Sequence, residues 1–314
     1  VRILLLGANG QLARTFIDHG GLAARGELVM ASRDGTLSNG GRGETVDLSS
    51  PASIPVLLDR VRPDVIVNAA AYTAVDRAEQ EEALATRVNG EAVGVIGIWA
   101  AAHGAAVMHY STDYVFDGQQ ERPYAVDAPT APLGAYGRSK LAGEQALEAS
   151  GADHLTFRTA WVYAAHGQNF LRTMLRLGAE RDELRVVADQ HGAPTDTLLI
   201  VNASIAAMDR WLCSDAVQRR ALNGTHHLVA SGATSWHGFA NAIFAQALAQ
   251  GLITKVPRVL PITTADFPTP AWRPAWSLLD NNGFARHFDF ALPDWQHGLD
   301  NVIRQLASTG HGAC

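Results

Sequence analysis

The apolar positions fall into short runs separated by amphipathic stretches. Val1-Arg2-Ile3-Leu4-Leu5-Leu6 is almost wholly apolar and stops at Gly7. A run this short, with no polar alternation, predicts a strand buried on both faces. Glu27 to Ala31, Asp64 to Asn68 (introduced by Pro63), Ala105 to Tyr110 and His154 to Arg158 repeat the pattern, and another strand is expected just before Asp47. Helical spacing covers Gln11 to His19, Glu79 to His103 and Arg138 to Ala149. Strands alternating with helices predict a parallel sheet covered on both faces. After Pro194 the alternation weakens. Helices are expected at Thr197–Leu212 and Ser235–Ala249, then a proline-rich segment from Pro257 to Pro274. The expected fold class is α/β: a Rossmann-like doubly wound parallel sheet with a smaller C-terminal substrate-binding lobe. Residues 1–165 form mainly the first domain and 166–314 mainly the second, with some of the latter's elements returning to the first.

Composition narrows the function classes. With 314 residues and 47% hydrophobic content, the chain can bury a large core. A net charge of -6, with acids and bases intermixed, gives little support to nucleic-acid or anionic-membrane binding. No apolar run reaches membrane-spanning length. The start lacks the pattern of a signal peptide. Two cysteines, Cys213 and Cys314, suggest no disulfide framework, as expected of a reducing, cytoplasmic setting. The adjacent pair His226-His227 has no ligand spacing, and no cysteine–histidine cluster has zinc spacing, so no metal is assigned.

Gly7-Ala8-Asn9-Gly10-Gln11-Leu12-Ala13 joins the first strand to the first helix. Gly7 and Gly10 allow a tight turn and close approach to a pyrophosphate, which the helix N-terminus then attracts. A dinucleotide is the expected ligand, with Gln11 and Leu12 at its phosphates. Later strand ends frame the same crevice. Ser32-Arg33 ends the second strand, where an NAD-specific site carries an acid. Serine and arginine there suit a 2′-phosphate, so NADPH is preferred and NADH can be accepted, with Asp34 able to point either way. Asp47-Leu48 flanks the adenine side. Ala69, Ala70 and Ala71 let the backbone pass close to a ribose, or pack a helix closely on the sheet.

Tyr136 and Lys140 stand four apart at a helix start and share one face. A lysine ammonium beside a tyrosine lowers the phenol's pKa, and the phenol can then protonate a carbonyl oxygen as hydride reaches carbon. Ser111-Thr112-Asp113 closes the fifth strand, and its hydroxyls can hold that oxygen.

These parts, in this order, resemble the extended short-chain dehydrogenase/reductase superfamily and, within it, the dTDP-4-dehydrorhamnose reductases. The more specific matches are Tyr110-Ser111-Thr112-Asp113-Tyr114-Val115-Phe116 and Arg158-Thr159 with Trp161-Val162-Tyr163. Others are Arg62 to Ala71 with Thr73-Ala74-Val75-Asp76, Asp189-Gln190 with Gly192-Ala193-Pro194-Thr195, and Arg273-Pro274. The resemblance implies catalytic roles for Thr112, Tyr136 and Lys140. It implies cofactor contacts at Gly10, Gln11, Leu12, Asp47, Leu48, Ala71, Tyr72, Thr73 and Tyr110. Substrate contacts follow at Thr112, Asp113, Trp161 and, close by, Tyr114. Asn89 matches a structural asparagine.

The implied reaction is reduction of the C4 keto group of a dTDP-4-dehydro-6-deoxy sugar, the step that completes dTDP-L-rhamnose for surface polysaccharide. Some family members are described with magnesium between subunits, aided by an acid shortly after Ala-Pro-Thr. Leu198 stands there in this chain, so magnesium is left open, as is a homodimer. Dehydratases of the same fold carry Asp-Glu after the catalytic threonine, whereas Asp113 is followed by Tyr114. Epimerases resemble the chain less around Trp161 and Arg273-Pro274. A non-catalytic relative, a regulatory subunit of methionine adenosyltransferase, shares much of the pattern, and the intact Thr112, Tyr136 and Lys140 argue against that reading.

Overall fold

The computed structural model describes residues 1–308. Cys314 lies outside the described residues, and Cys213 is a free, exposed thiol. Seven strands form one sheet: β1 (Arg2–Leu6), β2 (Glu27–Ser32), β3 (Glu44–Thr45), β4 (Val65–Asn68), β5 (Ala106–Thr112), β6 (His154–Thr159) and β7 (Gly224–His227). Their order is β7-β6-β5-β4-β1-β2-β3, and every neighbouring pair is parallel. The chain leaves β1 towards β2 on one side and returns at β4 on the other. Connections diverge at that reversal and leave a crevice beyond the strands' carboxyl ends.

The apolar runs are apolar because both faces of the sheet are covered. Along β1, Ile3 and Leu5 enter one core and Leu4 and Leu6 the other. The first core is closed by α1 (Gln11–His19), through Phe16, and by a later helix at Thr197–Leu212, through Val201 and Ile205. Three helices close the second: α2 (Ile54–Val61), α3 (Ala92–His103) and α4 (Ala135–Ala149). Each fully buried Leu or Ile contributes roughly 1.5–3 kcal/mol of burial. In the C-terminal half, strand Glu183–Val187 pairs in parallel with Arg258–Ile262. Helices Phe170–Glu180 and Trp236–Ala249 flank that pair, and Leu171, Phe239 and Phe244 continue the first core without a break.

Three elements differ from the sequence reading. The stretch expected as one helix from Glu79 to His103 is built from helix Glu82–Thr86, a π-helical turn at Arg87–Glu91 and α3. That wide turn holds the buried Asn89 amide against the Tyr72 backbone and the Ser139 hydroxyl. Helix α4 starts at Ala135 rather than Arg138, which brings Tyr136 inside its first turn. Strand β7 was not expected, because Gly-Thr-His-His has no apolar run. Its two imidazoles are buried nonetheless, each bonded to a backbone carbonyl, of Leu222 and of Asp280.

Candidate active site

A cleft of about 850 Å³ opens beyond the carboxyl ends of β1, β2, β4 and β5. Gly7 forms its floor with φ +77°, and a Cβ there would lie 2.7 Å from the Ala70 Cα. Only glycine allows this contact between the first turn and the small residues after β4. Helix α1 points its N-terminus at the cleft. Gly10 is its N-cap, no side chain caps it, and no acid stands in its first turn. Such an end offers free N–H groups and a positive dipole to an anion. The Gln11 side chain is fixed by Asn169 Nδ2, and its carbonyl by His166 Nε2, at 2.8 and 3.0 Å.

Gly7, Gly10, Gln11, Leu12, Ser32, Arg33, Asp47, Leu48, Ala69, Ala70, Ala71, Thr73 and Tyr110 all line this cleft, as do Thr112, Asp113, Tyr114, Tyr136, Lys140 and Trp161. Tyr72 does not. Its hydroxyl donates to Glu81 and its peptide is held by Asn89, so only the flanking Ala71 and Thr73 reach the wall. At the β2 end, Arg33 extends into solvent with its side chain 85% exposed, its nearest acid Asp47 at 4.0 Å. The Asp34 carboxylate is turned back onto the Thr36 N–H at 3.0 Å. Ser32 donates to the Thr36 carbonyl.

At the far end of the cleft, the Thr112 hydroxyl donates to Asp113 Oδ1 at 2.9 Å, and Tyr136 lines the same end. Burial raises the Tyr136 pKa well above its ordinary value, and the neighbouring Asp113 charge raises it further. Burial also pushes the Asp113 carboxyl up to about 6, against the pull of the Ser277 and Thr112 hydroxyls. Lys140 is 1% exposed and donates to the Tyr110 carbonyl. Burial brings its ammonium down to about 8, and Glu144 opposes that fall. The expected depression of the Tyr136 phenol by Lys140 is therefore not found. The lysine is engaged by β5, and desolvation dominates at the tyrosine. The phenol is protonated at neutral pH, the state a proton donor needs.

On the opposite wall, Tyr114 meets Tyr136 edge-on at 5.6 Å. Its hydroxyl accepts from Arg273, which also pairs with Asp76 at 2.8 Å. Position 114 thus offers no carboxylate base. Trp161 has φ +50° and stacks on Trp236.

Comparison with known proteins agrees with this geometry. The family model described as "RmlD substrate binding domain" matches residues 1–308. A dTDP-4-dehydrorhamnose reductase from Burkholderia thailandensis is 45% identical over 98% of this chain and 100% of its own. The chain belongs to the dTDP-4-dehydrorhamnose reductase family. The Escherichia coli K12 member is 41% identical over 98% of the chain and 99% of its own. A Bacillus anthracis member, solved in complex with NADP, superposes with a TM-score of 0.83 at 31% identity, covering 97% of this chain and 99% of that one.

Within this family member, several cleft residues escaped sequence reasoning. Gln168 and Ile200 reach the wall from the second half of the chain, more than 150 residues from the glycine loop. Asn9 faces the cleft and also pins the loop after β2, donating to the Thr36 carbonyl at 2.7 Å and accepting from Ser38 N–H at 2.8 Å. Its place between the two glycines was the one available signal. Leu198 is exposed, and its side chain offers no oxygen donor. Among the described residues, no group of three or more His, Cys, Asp or Glu side chains is placed to hold a metal, and no helix is long and apolar enough to cross a membrane.

Proposed function

We propose that the protein reduces the C4 keto group of dTDP-4-dehydro-6-deoxy-L-mannose to the alcohol of dTDP-L-rhamnose, with NAD(P)H as reductant. The observation that carries this reading is the partly buried Tyr136 phenol and the buried Thr112 hydroxyl lining one end of a dinucleotide-sized cleft. The glycine turn and the uncapped end of α1 fit a pyrophosphate, and the alanines after β4 leave room for a ribose. Reduced nicotinamide bound there supplies a hydride to the carbonyl carbon. Thr112 orients the carbonyl oxygen and Tyr136 gives it the proton, so a ketone becomes a secondary alcohol. Lys140, which lines the same cleft, supports the nicotinamide ribose. Trp161 covers the sugar nucleotide from the opposite wall. Arg33, exposed and only loosely paired with Asp47, is placed to meet a 2′-phosphate while Asp34 is engaged by its own loop, which supports a preference for NADPH.

The test is consumption of reduced cofactor, mole for mole, on addition of the 4-keto sugar nucleotide. In Tyr136→Phe, kcat should fall by roughly 10²–10⁴ with cofactor affinity retained. Near-normal turnover in the variant would remove Tyr136 from the reaction.

A further inference from the structure

Behind Lys140, three buried side chains form a chain with a defined direction. The Ala70 N–H donates to Asn68 Oδ1 at 3.3 Å. With that oxygen engaged, the amide turns its Nδ2 towards His109 Nδ1, 3.2 Å away. An amide nitrogen only donates, so Nδ1 must accept. His109 is fully buried, and burial, then Lys140, then His154, keep it neutral. A neutral imidazole that accepts at Nδ1 carries its proton on Nε2. That N–H faces Lys140 Nζ at 3.4 Å. An amine lone pair can accept it, whereas an ammonium meets it donor against donor.

We propose that Asn68 and His109 are positioning residues. Their one-way hydrogen-bond chain ends with the His109 Nε2–H aimed at Lys140, and it sets how readily that lysine carries a proton. Lys140 would otherwise be governed by the acids nearby. Glu144 on α4 favours its ammonium but is shared with Arg158 and Ser111. His154 on β6 also acts on His109. The chain begins at Ala70, on the dinucleotide wall, so it ties Lys140 to the backbone that the glycine turn touches. The consequence for catalysis rests on the proposed reduction, but the chain itself is tested without turnover.

The sequence makes the experiment direct. Its only lysines are Lys140 and Lys255. Labelling lysine with ¹⁵N at Nζ gives two signals, and Lys255→Arg assigns them. Histidine ¹⁵N shifts read the His109 tautomer, assigned with His109→Leu. In the wild type, His109 should hold its proton on Nε2, and Lys140 should bind its proton at least about tenfold more weakly than Lys255. Asn68→Asp supplies an acceptor opposite Nδ1. It should move the ring proton to Nδ1, leave Nε2 to accept from the ammonium, and raise Lys140 proton affinity about tenfold or more. Adding His109→Leu to Asn68→Asp should abolish most of that rise. A wild-type ring protonated on Nδ1, or an equal rise in the double variant, would overturn the proposal. The wild-type tautomer decides even where a variant fails to fold. A protein with this tautomer and no activity on the keto sugar would instead contradict the proposed function.

Discussion

The indole of Trp161 lies flat on that of Trp236, with ring centroids 3.5 Å apart and planes 6° from parallel. Phe170 backs Trp236 at 4.6 Å. Trp161 spends one face on this stack and keeps contact with the cleft. Its left-handed backbone, φ +50°, costs on the order of 1–3 kcal/mol, which the stack helps to offset. Trp236→Leu should therefore act at a distance, raising KM for the sugar nucleotide severalfold while the cofactor Kd stays unchanged. Trp161→Ala should do the same more strongly. Loss of both ligands together, with a lowered Tm, would show that the stack serves folding alone.

Arg33 stands at the end of β2, exposed and only loosely paired with Asp47 at 4.0 Å, and Asp34, which would repel a 2′-phosphate, is bonded to its own loop. Arg33→Ala should lower kcat/KM for NADPH by about tenfold or more, equivalent to roughly 1.5–3 kcal/mol, and leave NADH nearly untouched. Kinetics with both cofactors in both proteins check this. A ratio that does not move would remove Arg33 from cofactor selection.

The sheet was legible because its strands are buried on both faces: Ile3 to Leu6 cannot alternate when each face meets its own helices. The cleft was legible in part for the same reason, since strand ends converge in this fold and its residues lie just after apolar runs. Strand β7 was hidden because histidines fill it, and their burial depends on backbone carbonyls far away in sequence. The Tyr72 side chain turns away from the wall that its neighbours Ala71 and Thr73 line, since one step along an extended chain reverses direction. Nor could spacing reveal that Lys140 points at β5 and not at Tyr136. Helical periodicity gives a shared face; burial and the available carbonyl decide the contact.

Asp113 should leave a signature in stability against pH. Its carboxyl is held at about 6 in the folded protein against an ordinary 3.8, because burial disfavours the charge. The folded state therefore holds this proton more tightly than the unfolded state. Stability is lost as pH rises from about 4 to about 6, and the full cost persists above that window. Asp113→Asn keeps an acceptor for Thr112 and removes the charge. Relative to wild type it should gain up to about 3 kcal/mol more at about pH 8 than at about pH 4. Urea unfolding at both values measures the difference, and a gap independent of pH would contradict the assignment.

The central claim is net hydride transfer to C4 of the keto sugar, and isotopic labelling tests it most directly. Reduced cofactor deuterated at the transferring position is incubated with the enzyme and dTDP-4-dehydro-6-deoxy-L-mannose, and the product is read by NMR. The account predicts one deuterium at C4 of a 6-deoxyhexose nucleotide for each cofactor oxidised. An unlabelled product with the cofactor still reduced, or no product at all, would contradict it.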